Sequence, residues 1–216
     1  MQAEIIQKAI KVFAKFPTIG PRTASRFVFY LIKLPKGEFK EFLTTLINLK
    51  KTIKLCRFCF NPFDINKSED KNLCSICQNK SRDLATLCIV ENESDLNAIE
   101  QTKKYKGLYF ILGGTVGRLK TEDIKKIRVK ELMERISHPE RFGIQNSGFK
   151  EIIIATDYTA EGQSTALFLI RKIKEIKLPK GKPIPKITRL GQGLPSGGEL
   201  EYADEETIAS AFENRK

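Results

Sequence analysis

Cys56-Arg57-Phe58-Cys59 and Cys74-Ser75-Ile76-Cys77 form two CxxC pairs with fourteen residues between them. No other feature restricts this chain as strongly. Each pair presents two thiolates from one tight turn, and two such turns complete a tetrahedral four-sulfur site of the kind that suits zinc. A site closed by four protein ligands keeps no position for water, so its role is structural, with one ion per chain. Residues 54–79 contain few aliphatic side chains, too few for a core of their own, and metal binding energy can stand in for that core. Iron–sulfur ligation and a redox dithiol are the competing readings. A redox CxxC is normally single and sits in a βαβ context. Cys88, inside Leu87-Cys88-Ile89-Val90, reads as a small core residue.

The sequence on the N-terminal side of the cysteines is helical. Ile5, Ile6, Ala9, Ile10, Val12 and Phe13 recur at helical spacing and predict a first helix to about Lys15. The connection Phe16-Pro17-Thr18-Ile19-Gly20-Pro21 is tight, with Gly20 free to take a positive φ and Pro21 suited to the first position of a helix. A second helix places Ala24, Phe27, Val28, Leu31 and Ile32 on one face and ends at Pro35 and Gly37. A third carries Phe39, Phe42, Leu43, Leu46, Ile47 and Ile53. Backbone N–H groups at the start of the second helix can hold a phosphate, and Arg22 and Arg26 project from one face beside them. The alternative is a plain helical hairpin with solvated arginines.

Charge supports a polyanionic partner. The net charge is +12, and residues 1–53 hold ten Lys and Arg against three acids. Neutralised phosphates release counterions, which is why a concentrated basic excess points to nucleic acid. A lysine-rich proteome in which every surface is basic would leave the same overall number. Apolar residues make up 41 % of the chain, enough for a packed core. No run of eighteen apolar residues occurs and MQAEIIQKAI lacks a signal-peptide stretch, so the expected location is the cytoplasm, where disulfides are disfavoured.

From residue 84 the pattern becomes α/β. Strand candidates are Leu84–Val90, Leu108–Leu112, Glu151–Ala155 and Ile187–Leu190, with helix candidates near 94–103, 122–137 and 160–176. Such alternation implies a mostly parallel sheet with helices on its faces. Residues 178–203 are rich in Pro and Gly and read as loop around one short strand, before a last helix over 204–213. Functional groups in open α/β sheets gather beyond the carboxyl ends of the strands. Glu91, Asp157 and Glu161 fall there and are candidates to hold Mg²⁺, unless Thr159 or Asp157 simply caps the following helix. Gly113-Gly114-Thr115-Val116-Gly117 lacks the Lys of a phosphate loop. His138, the only histidine, has no triad partner in view. A zinc-ribbon RNA-binding protein is disfavoured because no run of exposed stacking aromatics is legible.

In order, these elements resemble the RecR family. The resemblance rests on the hairpin Pro17–Ala24, the four cysteines, Cys88–Glu91 with Asp95 and Ala98-Ile99-Glu100, the segment Ala155–Ala166, and Gly191-Gln192-Gly193-Leu194-Pro195-Ser196-Gly197-Gly198-Glu199-Leu200-Glu201-Tyr202-Ala203-Asp204. It implies an α/β chain in four parts. These are a helix-hairpin-helix DNA-binding domain over 1–53, a C4 zinc finger over 54–79, a Toprim domain over 80–178, and a C-terminal Walker-B-like segment (near 198–204) and helix over 179–216. It further implies a ring-shaped homo-oligomer, a tetramer, around DNA. Lys15, Gly20, Arg22 and Arg26 are then the DNA contacts, and Glu91, Asp157 and Glu161 are vestigial Toprim acids or a docking surface for RecO. RecR-type proteins act with RecO, and with RecF where present, to load RecA on gapped single-stranded DNA, and are not enzymes. Three departures carry information. Thr18 stands where the family's hairpin has glycine. Asp157-Tyr158-Thr159 replaces the Asp-x-Asp of catalytic Toprim domains, and Gln163 an acid frequent in RecR-like proteins. The alternative, a Mg-dependent Toprim nuclease or primase-like enzyme, would need Glu161 to replace the missing carboxylate.

Overall fold

Helix α1 (Glu4–Phe13) is followed by a short turn and by α2 (Pro21–Lys33). Gly20 is extended at the N-cap, with φ −80° and ψ 168°, and Pro21 opens the helix. The positive φ expected of Gly20 falls instead on Thr18, at 63°. Leu34 turns the chain into extended backbone ahead of Pro35, as a residue preceding proline prefers. Helix α3 (Lys36–Thr52) begins directly after and takes Gly37 into its first turn, so only Leu34 and Pro35 separate α2 from α3. Phe13 touches both Phe16 and Phe27, with ring centroids 5.9 and 6.1 Å away. The computed structural model describes residues 3–117, 124–145, 147–179, 182–191, 193–194, 197 and 199–213. The chain divides into two compact units, Met1–Ile53 and Lys54–Lys216.

The second unit opens with a two-stranded sheet, β1 (Ile53–Leu55) with β2 (Pro62–Asp64), that sequence periodicity did not indicate because each strand has only three residues. Helix α4 (Ser75–Gln78) is one turn long and carries Cys77. The main sheet comprises β3 (Asp83–Val90), β4 (Gly107–Ile111), β5 (Glu151–Ala155) and β6 (Lys186–Arg189) in the order β4-β3-β5-β6, all parallel. Its central rungs pair Val90 with Ile111 on one side and Ala155 on the other. All of β4 is buried, as expected of a parallel strand covered on both faces.

Helices α5 (Glu93–Gln101), α6 (Val129–Ser137) and α7 (Ala160–Lys174) follow β3, β4 and β5, and α8 (Glu205–Glu213) closes the described chain. Asn92 and Asp95 form a reciprocal capping box on α5. The helix expected over 122–137 is interrupted: Ile124 is helical, but α6 begins only at Val129. Residues 122 and 123 lie outside the described residues. Lys125–Arg128 form a turn, because the Arg128 N–H is drawn to the Leu112 carbonyl at 2.9 Å. Residue 198 of the Walker-B-like segment also lies outside the described residues, and Leu200–Tyr202 form a single 3-10 turn. The cysteine module does not stand apart from the sheet. Phe58, Leu73, Ile76 and the cysteines belong to one continuous core with Leu87–Val90 and Leu108–Leu112. No described helix is long and apolar enough to cross a membrane.

Candidate metal centre and the carboxyl ends of the sheet

The first CxxC turn is closed by Phe60 N–H donating to the Cys56 carbonyl at 3.0 Å. Asn61 N–H points at Cys59 Sγ and Cys74 N–H at Cys56 Sγ, each 3.4 Å away. The second turn is held by Gln78 N–H on the Cys74 carbonyl, and Arg57 N–H donates to Asn72 between the two turns. All four Sγ atoms lie within 4.8 Å of one another and all four residues are buried. Cys59 Sγ and Cys74 Sγ are 3.6 Å apart. A tetrahedron with ligand bonds of about 2.3 Å has edges of about 3.8 Å, so one zinc-sized ion fits and a cluster of irons does not. Hydrogen bonds from Cys59, Cys74 and Cys77 hold the Cys56 thiol far below its ordinary range, whereas burial pushes the Cys59 thiol up. Four buried sulfurs in this arrangement can all be thiolates only beside a cation. Cys88 lies in β3 outside the group, and burial pushes its thiol up to about 12.

A stack of cations and rings joins the first turn to the sheet. The Arg128 and Arg135 guanidinium carbons lie 4.7 and 4.8 Å from the Phe60 ring centroid, and Arg135 also lies 3.8 Å from that of Phe142. Arg135 Nη2 donates to the Arg57 carbonyl inside the CxxC turn at 3.1 Å, while its Nε has no hydrogen-bond partner. Arg128 Nη1 donates to Ile111 at the end of β4, and Ile111 N–H donates to the Cys59 carbonyl at 3.0 Å. Phe60 takes φ 66°, a strained value for an aromatic residue, within this packing. Sequence spacing did not reveal the stack, since its members come from residues 60, 128, 135 and 142.

The strand-end acids behave differently from one another. Glu91 is buried, and Asp157 N–H donates to its Oε1 at 2.9 Å. Burial pushes the Glu91 carboxyl above the usual carboxylate range. Its carbonyl accepts the N–H groups of Gly113 and Gly114 at 2.8 and 3.1 Å. Asp157 and Glu161 are exposed. Gly162 is required here, because a Cβ at that position would lie 2.2 Å from the Asp157 carbonyl oxygen and 3.0 Å from Glu91 Oε1. Thr159 caps α7, its Oγ1 accepting from Gly162 N–H at 3.1 Å. Among the described residues, the four cysteines are the only group of three or more ligating side chains close enough to share a metal ion. The structure therefore does not gather Glu91, Asp157 and Glu161 into the Mg²⁺ site considered from sequence.

In the first unit, Lys15, Gly20, Arg22 and Arg26 are all exposed. No side chain caps α2, and Pro21 brings no N–H, so the Arg22 and Thr23 N–H groups face outward beside Arg22 and Arg26.

A parallel sheet in this order, with acids at the carboxyl ends of β3 and β5, is the layout of a Toprim-type α/β protein, and the Toprim domain model matches residues 85–180. The model for the RecR C-terminal region matches residues 193–216. Two curated relatives, each called recombination protein RecR and each from a strain of Clostridium perfringens, are 36 % identical over 210 residues, covering 97 % of this chain and 95 % of theirs. The chain belongs to the RecR family. Its relatives are named for recombination, not for an enzymatic reaction.

Proposed function

We propose that this protein works in recombinational DNA repair as a DNA-holding mediator without phosphodiester chemistry of its own. Cys56, Cys59, Cys74 and Cys77 hold one structural zinc ion. The helical unit meets DNA through Lys15, Gly20, Arg22 and Arg26, with the open start of α2 receiving a phosphate. Several copies assemble into a ring, a tetramer, around DNA, in the cytoplasm. The assembly acts with RecO, and with RecF where that protein is present, to load RecA at gapped single-stranded DNA.

The observation that carries this reading is the uncapped, exposed start of α2 beside Arg22 and Arg26, on a unit of ten cations and three acids. Phosphate contacts hold any sequence and depend steeply on salt. The test is fluorescence anisotropy on gapped DNA across a salt series. The Arg22→Ala, Arg26→Ala double variant should flatten the plot of log affinity against log salt by about one unit per lost contact. An unaltered slope would remove the hairpin from the DNA surface.

Assembly is supported by the apolar exposure of the same unit. Ile5, Val12, Ile32 and Ile47 are each more than half exposed, and Ile5 and Ile32 line one contiguous apolar groove, the kind of surface that marks a protein contact. Docking of RecO, as a basic partner, falls to Asp157 and Glu161, with Glu91 buried behind them to order the Asp157 turn. Undiminished RecO binding by an Asp157→Ala, Glu161→Ala variant would exclude that surface.

A further inference from the structure

Helix α2 presents two faces of opposite character. Ala24 and Val28 are buried on one. On the other, Phe29, Arg22, Lys33, Arg26 and Tyr30 follow one another around the helix within about 100° at 3.6 residues per turn. Along a strip about 16 Å long, at 1.5 Å per residue, two aromatic rings, Phe29 and Tyr30, stand between Arg22 and Arg26 on one side and Lys33 on the other. Tyr30 is 63 % exposed and Phe29 38 % exposed. The Tyr30 hydroxyl, Arg26 and Lys33 have no hydrogen-bond or ion-pair partner among the described residues. Together with Thr23, Ser25 and Phe27 these side chains line an open groove of about 800 Å³. The acids Glu38 and Glu41 border the neighbouring groove, on the far side of Tyr30 from Arg26.

We infer that this strip binds single-stranded nucleic acid, with Tyr30 as a platform for an unpaired base and Arg26 and Lys33 on the flanking phosphates. The inference rests on the DNA reading above and adds to it a contact that distinguishes single strands from duplex. Rings flanked by cations are what an unpaired strand requires, because each exposed base offers a π-face and each linkage a charge. Bases in a duplex are already stacked and cannot use Tyr30. A second copy of this chain would bury the rings but would bring its own cations against Arg22, Arg26 and Lys33, and like charges brought together oppose that packing. The sequence alone shows no run of exposed stacking aromatics, because the pattern of α2 does not show which of its three rings remain uncovered.

The chain contains no tryptophan, so Tyr30→Trp in the full-length protein places a single indole in the groove. Titration with oligo-dT should quench its emission, whereas blunt duplex should leave it unchanged. Tyr30→Ala should weaken oligo-dT binding about tenfold, within the range for losing one aromatic–base stack. It should leave both the salt slope and duplex affinity unaltered, and Tyr30→Phe should restore binding. Lys33→Ala should instead flatten the slope by about one unit. If the Arg22, Arg26 variant loses its slope while Tyr30→Ala binds oligo-dT normally, the platform is wrong and the DNA reading survives. If the unsubstituted protein binds no DNA, both fail. If Tyr30→Ala changes the mass in solution without DNA, the strip is a contact between copies and the inference is overturned.

Discussion

The two units of this molecule hold themselves together by different means. In residues 1–53 only Ala24 and Val28 are buried hydrophobics among the described residues, and large apolar side chains such as Ile5 and Ile32 are left in the open. In residues 54–216 every residue of Leu87–Val90 and Leu108–Leu112 is 1 % exposed or less. The second unit carries its stabilisation inside one chain, in a sheet covered on both faces and anchored to a metal-binding module. The first leaves its apolar and cationic groups facing outward, where other molecules can use them. Interior chemistry is concentrated in one unit and surface chemistry in the other.

The strongest test of that contrast is removal of the metal. Cys74→Ser should abolish stoichiometric zinc and unfold the 54–79 module, because structural zinc sites contribute on the order of 10 kcal/mol to folding. Zinc analysis with thermal unfolding would read this, and the helices of residues 1–53 should keep their circular dichroism signal. Loss of those helices as well would mean that the units do not fold separately. Cys88→Ser should leave metal content unchanged.

A smaller effect compares a buried cation with exposed ones. Arg135→Gln removes the guanidinium between Phe60 and Phe142 and its bond to the Arg57 carbonyl. Outer-shell changes of this kind typically cost about 10- to 100-fold in metal affinity. Zinc release to a chromogenic chelator should accelerate accordingly. Arg26→Ala, on an exposed site of the other unit, should release zinc at the normal rate. Equal rates in all three proteins would show that the stack does not support the metal turn.

The smallest effect lies in the hairpin. Thr18 is β-branched yet sits at φ 63°, which costs roughly 1–2 kcal/mol in L-residues. Thr18→Gly should relieve that cost, less the flexibility glycine adds to the unfolded chain, for a net gain of about 1 kcal/mol. The urea midpoint of the helical unit should rise. A fall would place another constraint on that turn.

What the sequence determined by itself is what short-range spacing carries. CxxC fixes two sulfurs per turn, so the metal group was legible before any fold was known. Alternating strand and helix patterns made a parallel sheet the economical arrangement, and the Glu151–Ala155 strand appears with the expected bounds. Tertiary structure decided whatever depends on which distant residues meet. Thr159 acts as a helix cap, and the approach of Gly162 to Glu91 and Asp157 turns one acid inward while two face solvent. Arg135 finds Phe60 and Phe142 only because α6 lies beside the metal turn. Gly20 looked like the residue to take a positive φ, but the path from α1 into α2 placed that conformation on Thr18. Whether a ring such as Tyr30 is covered depends on what packs over its helix, and helical spacing records a residue's face but not what lies across from it.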